Sequence, residues 1–303
     1  MTILHHEQSL QQEEDGDQDR QQHDRNDEES SPSTGTLPHP KLRLHVQDLR
    51  HPASSAFLSL LPNVESVLET ALAAIIEHLY TSPYLVTRAP LSPFTPTVPP
   101  TRSVTLVLRD FNGVAYTTGT ELDDEHKEIR FSLSYIHSTC KGNANPVKEL
   151  TGVLTHELVH CYQHTAPTGT TNAPQPPGGL IEGIADFVRL KADLVPPHWK
   201  RPSSAKERAA RWDQGYQHTA FFLAWLEDVR IGRGAIGLLN DRLLRMGYTG
   251  GEEEKDKQET SFWKGLFGAD VLELWEEYGR YLDSSSSSGN KPADWEEEIV
   301  NLN

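Results

Sequence analysis

The stretch Thr155-His156-Glu157-Leu158-Val159-His160 holds two histidines four residues apart with a glutamate beside the first, the pattern HExxH. On a helix that spacing sets both imidazoles one turn apart on one face, where each can reach a single ion at about 2.0 to 2.1 Å. Neutral imidazole suits zinc, so His156 and His160 are candidate ligands. Glu157 then lies where a carboxylate could take a proton from water polarised by the cation and pass it to a leaving amine, the role of a general base. Chance alone is not negligible: 14 His and 26 Glu in 303 residues would place an HExxH in roughly one such chain in twenty. Ordinary surface histidines on an exposed helix are the competing explanation, and the surrounding sequence has to decide.

A zinc site needs a third protein ligand and an open position for water. His164 is nearest in sequence, but eight residues of helix separate it from His156 by about 12 Å of axis; it reads as a helix-end residue favourable to the dipole. Glu182 is the better candidate. It lies in Gly179-Leu180-Ile181-Glu182-Gly183-Ile184-Ala185-Asp186, early in a second helix reached through a Pro- and Gly-rich crossover, and Gly183 and Ala185 permit close helix packing. Asp186 follows one turn later on the same face, placed to accept a hydrogen bond from the non-ligating nitrogen of His156 or His160 and fix its tautomer. The competing explanation is a solvated face on which Glu182, Asp186, Arg189 and Asp193 form ion pairs.

These side chains must be held by elements legible in the pattern. Asn145-Pro146 supplies an N-cap and a first-turn proline for a helix running to about residue 164. The second helix is expected to begin after Gly178-Gly179 and to stop before Pro196-Pro197. Upstream, alternation over residues 41–46 fits a half-buried strand, and apolar residues at Val64, Val67, Leu68, Ala71, Leu72, Ile75, Ile76 and Leu79 predict a helix over 64–80. Residues 82–101 read as a proline-rich loop, 104–108 and 128–135 as strands, and 121–127 as the turn before the latter. Later helices are expected over 206–229, 235–246 and 270–282, the last with Asp270 and Glu273 spaced as a capping box. Residues 250–259 read as an acidic loop. A sheet that precedes a run of helices makes this an α+β domain.

That domain is expected over residues 40–283, with an acidic tail over 1–39 and a serine-rich flexible linker and C-terminal tail over 284–303. Residues 1–40 hold ten acidic residues against Arg20 and Arg25, a net of −8 out of −16 for the chain. Such a segment buries too little apolar surface to offset ordering entropy. The acidic balance argues against nucleic acid, whose phosphates need Lys and Arg, and against anionic membrane surfaces. No run approaches the roughly 18 apolar residues of a membrane span, and residues 1–10 lack the apolar core of a secretory signal. The expectation is a soluble protein that is cytoplasmic or unconventionally secreted. Cys140 and Cys161 are expected to be two unpaired thiols.

The segments HELVHCYQH, GGLIEGIADFVRLKA, PPHWKRP and RWDQGYQHTAFFLAWLE together resemble the basic secretory protein family of plants and bacteria, over about residues 42–282 and most strongly over 152–226. The resemblance implies a zincin-like metallopeptidase domain of the gluzincin kind: a small mixed sheet, the HExxH helix, and a mainly helical C-terminal part. It implies one zinc ion held by His156, His160 and Glu182, with Glu157 as base and a peptide or protein as substrate. Family members are typically secreted and often basic, whereas this chain has a pI near 5.3, so location does not carry over. A hydrolase of this kind also needs a donor for the oxyanion that forms when water attacks a carbonyl. In Arg211-Trp212-Asp213-Gln214-Gly215-Tyr216 the candidate is Tyr216, with His218 as an alternative; packing of Trp212 and Tyr216 into the core is the other reading. The strand over 128–135 could be an edge that pairs with an extended peptide, or an interior strand. Other readings of the whole are a non-catalytic binding protein that retains the fold, and a zinc hydrolase of another amide bond.

Overall fold

A computed structural model of the chain describes residues 38–83, 94–120, 123–170, 173–249 and 262–287. The expectations for the acidic tail, the acidic loop over 250–259 and the C-terminal tail from residue 288 fall outside them.

The chain begins with β1 (Lys41–Val46), then α1 (Pro52–Leu60) and α2 (Val64–Leu79). β2 (Ser103–Arg109), β3 (Ala115–Gly119) and β4 (His126–Ser132) complete a four-stranded mixed sheet in the order β1-β2-β4-β3. β1, β2 and β4 run parallel, and β3 lies antiparallel on β4. The rest is helical: α3 (Leu133–Gly142), α4 (Pro146–Tyr162), α5 (Gly178–Lys191), α6 (Tyr216–Trp225), α7 (Ala235–Met246), α8 (Phe262–Phe267) and α9 (Val271–Ser287). The α+β class and the order of sheet before helices are as expected. No single helix among the described residues is long and apolar enough to cross a membrane.

α2 forms because Leu68, Ala71, Leu72, Ile75 and Leu79 recur at helical spacing and are buried together. α4 starts where the sequence puts it, with Pro146 in its first turn and the Asn145 side chain accepting from Lys148 N at 3.0 Å. Every residue from Gly152 to Val159 is buried. This helix is packed by α2, α3, α5, β3 and β4, so it buries Glu149, Thr155, His156 and Glu157 along with its apolar side chains.

Several boundaries differ from the sequence reading. The strand expected over 128–135 ends at Ser132, whose hydroxyl accepts from Tyr135 N at 3.3 Å and caps α3. Leu133 and Tyr135 thus continue the alternation by coincidence inside a helical first turn. β4 is also an interior strand, paired on both sides, so the edge reading is overturned; the edges are β1 and β3. His126 and Lys127, expected in the turn, already belong to β4. The helix expected over 206–229 begins only at Tyr216, because Gly215 sits at φ 86° and breaks the backbone path, and it ends in a π turn at Leu226–Arg230. α9 runs through Ser287, into the serines expected as linker, and Asp270 N donates to Glu273 Oε2 at 3.2 Å as half of the capping box. The short elements α1, α3, β3 and α8 carry too little periodicity to be read in advance.

Glycines set the closest approaches. A Cβ built on Gly183 of α5 would lie 2.3 Å from Thr219 Cγ2 of α6, and one on Gly152 of α4 would lie 2.5 Å from Arg189 Nε of α5. Gly183 therefore seats α5 on α6, whereas the α4–α5 approach depends on Gly152. Gly183→Ala is expected to lower stability by about 1 to 3 kcal/mol through overpacking, whereas Gly142→Ala, with nothing within 4 Å of its added Cβ, should leave the denaturation midpoint unchanged or slightly raised.

Candidate active site

The face of α4 that bears His156 and His160 meets the first turns of α5. His156 Nδ1 lies 2.6 Å from Asp186 Oδ1, and its Nε2 lies 3.1 Å from Glu182 Oε2 and 3.1 Å from His160 Nε2. Glu182 Oε1 is 3.8 Å from His160 Nε2. Ligand atoms of His156, His160 and Glu182 all fall within 4.8 Å of one another. Donors at 2.0 to 2.1 Å around a tetrahedral ion lie about 3.3 Å apart, close to the two 3.1 Å separations at His156 Nε2, so the three side chains could hold a metal ion. The solvated-face reading of α5 fails on burial. Asp186 is 2% exposed and Arg189 6%, the latter paired across the helices with Glu149 of α4 at 3.2 Å.

The tautomer follows from the hydrogen bonds. With Nδ1 of His156 donating to the Asp186 carboxylate, Nε2 is the atom turned to Glu182 and His160: it donates to them when the ring is charged and offers a lone pair when the ring is neutral. Three carboxylates, on Glu157, Glu182 and Asp186, surround this ring and favour positive charge. Burial opposes a charged His156, but the bonds to Asp186 and Glu182 outweigh it and raise its pKa to about 10 in the metal-free protein. Burial and the charge on His156 push His160 down to about 4. Burial alone would raise Glu182, yet His156 and His160 hold it below the usual carboxylate range. The site is built to hold one unit or more of positive charge between these groups.

Glu157 is 6% exposed, lies close enough to His156, Glu182 and Asp186 to feel their charges, and reaches β3 with its carboxylate. Thr117 of β3 places its Oγ1 2.8 Å from Glu157 Oε2 and 2.9 Å from the Glu157 carbonyl oxygen. Burial raises the Glu157 carboxyl above its ordinary value, against the pull of His156 and Thr117. Thr117 is the site-adjacent residue that sequence reasoning missed. Its strand, Ala-Tyr-Thr-Thr-Gly, is too short and too polar to signal itself, and only the tertiary pairing brings it there.

β3 is the strand nearest the site, and among the described residues no other strand pairs with its outer side. Ser132 N donates to Val114 O and Thr120 N to His126 O, each between directly opposed residues. By antiparallel alternation, Ala115, Thr117 and Gly119 turn their own N–H and C=O groups away from β4, to the open edge.

The cluster around residue 212 divides. Trp212 is core, 5.2 Å centroid to centroid from Trp263. Tyr216 is 59% exposed, holds a left-handed φ of 48°, and lays its ring nearly parallel to His156 at 6.3 Å. Its phenol is raised by the negative charge of Glu182 and then by burial. Close packing fixes this loop: a Cβ on Gly179 would lie 1.9 Å from the Asp213 carbonyl oxygen. His218 is half-buried on α6 and makes no hydrogen bond to the cluster. His164 lies beyond α4, where its Nε2 faces Thr97 O at 2.8 Å, and takes no part in the site. Cys140 and Cys161 are both free thiols, and burial pushes Cys161 up to about 12.

A family model described as a peptidase of plants and bacteria, BSP, matches residues 39–278 of this sequence. The chain belongs to that family. No curated protein and no solved structure matches it. The BSP match covers the sheet, α4, α5 and α6, and so every side chain of the cluster just described.

Zinc added to this cluster would displace the proton of His156 but none from His160, which is already neutral. Calorimetry near neutral pH, in buffers of different ionisation enthalpy, is expected to find about one proton released per zinc bound. Apparent affinity should rise with pH up to about 10, where free His156 loses its proton unaided.

Proposed function

We propose that this member of the peptidase family is a zinc metallopeptidase with a zincin-like fold of the gluzincin kind. One zinc ion is held by His156, His160 and Glu182, and the substrate is a peptide or protein. The observation that carries the reading is the convergence of the Glu182 carboxylate on two imidazoles whose Nε2 atoms already face each other at 3.1 Å. A bound zinc lowers the pKa of water and polarises a carbonyl.

The chain's own residues supply the remainder. Glu157, ionised and lodged between α4 and β3, accepts a proton from the attacking water and delivers it to the leaving amine. Asp186 keeps His156 in the tautomer that presents Nε2 to the ion. Tyr216, exposed on the rim with its ring over His156, is the candidate donor to the developing oxyanion. The open edge of β3 offers N–H and C=O groups of Ala115, Thr117 and Gly119 to an extended substrate backbone. The peptide-pairing role expected of the strand over 128–135 falls to β3, an edge strand.

The test uses fluorescein-labelled casein and metal analysis. Glu157→Gln should keep one zinc per chain while losing about 100-fold or more in kcat. A variant with full activity would remove the mechanism, and a native protein that takes up no zinc would remove the metal site. Tyr216→Phe should lower kcat by roughly 10- to 100-fold with KM nearly unchanged; an unaltered kcat would dismiss Tyr216 as the donor.

A further inference from the structure

Resting on the peptidase reading, we infer that Thr117 is the positioning residue of the base: its hydroxyl clamps one oxygen of Glu157 so that the other is presented to the reacting water. The hydroxyl has one proton and two acceptors within reach, the Glu157 carbonyl oxygen and Glu157 Oε2. The carbonyl already accepts the helical bond from Cys161 N, four residues on in α4. The carboxylate is the stronger acceptor, because a hydrogen bond to an ionised group is about twice as strong as one between neutral groups. The proton therefore goes to Oε2. The contact to the carbonyl oxygen records how closely β3 and α4 approach.

What this does follows from the freedom of a glutamate. The last torsion of its side chain is broad and nearly two-fold, so an untethered carboxylate samples many orientations. Oε1 makes no hydrogen bond to another described residue. Pinning Oε2 thus selects Oε1 as the atom that handles the proton. Thr117 sits opposite Ile129, a residue of β4 with no exposed surface; directly opposed residues share a face of the sheet, so the face that points Thr117 at α4 is fixed by the core. The same residue turns its backbone groups to the open edge, so side chain and main chain serve different partners. Replacing the side chain removes the clamp and leaves the edge intact.

That separation makes the idea testable. Thr117→Val keeps shape and strand propensity but cannot donate. With labelled casein, kcat is expected to fall by about tenfold or more, with KM within about twofold of wild type and zinc content still one per chain. Thr117→Ser, which keeps the hydroxyl, should restore most of the rate. In crystals of the metal-free Thr117→Val protein, the Glu157 carboxylate is expected to leave its wild-type orientation or to occupy more than one. Unchanged kcat, a change in KM alone, failure of serine to rescue, or an unmoved Glu157 in the metal-free crystal would each overturn the assignment. Wild-type protein that neither takes up zinc nor cleaves casein would instead overturn the peptidase reading beneath it.

Discussion

The buried hydrogen bond between His156 and Asp186 ties α4 to α5 at the point where the site forms. Asp186 has almost no exposed surface, and a carboxylate in such a place is tolerable only if it is paired. Its partner is the ring that also faces Glu182 and His160, so the need to satisfy Asp186 orients the first imidazole and, through it, the whole cluster. One turn of α5 separates Asp186 from Glu182, so the helix that supplies the buried partner also delivers the third candidate ligand.

Holding two helices at this distance requires the absence of side chains elsewhere. Gly152 makes room for Arg189, and Arg189 reaches back to Glu149 in a second buried pair. Such a pair contributes little net stability, but losing either partner would strand a charge in the interior. Gly179 and Gly183 in turn press α5 onto the 213–215 loop and α6. Because that loop is held so closely, Tyr216 emerges over the His156 ring in a backbone conformation that few non-glycine residues adopt.

The sheet contributes through its own contact with α4. Its antiparallel edge strand is short, yet one threonine on it touches Glu157 while its outward backbone groups face the open edge. Ligands thus come from two helices, and the base is steadied by a strand. The groups that would hold the ion and the group that would move the proton rest on different elements, and a substitution can disturb one without the other.

The sequence was sufficient for whatever is local. Phase along α4 follows from Asn145, Pro146 and the run of apolar residues, and that phase alone puts His156 and His160 on one face. α7 likewise begins and ends where its pattern says, at Ala235–Met246. Glu182 and Asp186 could be chosen from their one-turn spacing, but their burial could not, since an acidic helix face looks the same whether it meets solvent or a pair of imidazoles. What tertiary structure alone decided involves partners far apart in the chain. Thr117 meets Glu157 across 40 residues, Ser132 ends a strand that alternation would have continued, and Gly215 starts α6 ten residues later than helical pattern suggests. Local patterns report the torsional and hydrophobic preferences of neighbours, whereas the partner of a hydroxyl, a carboxylate or a glycine's open side is set by which surfaces are pressed together when the core closes.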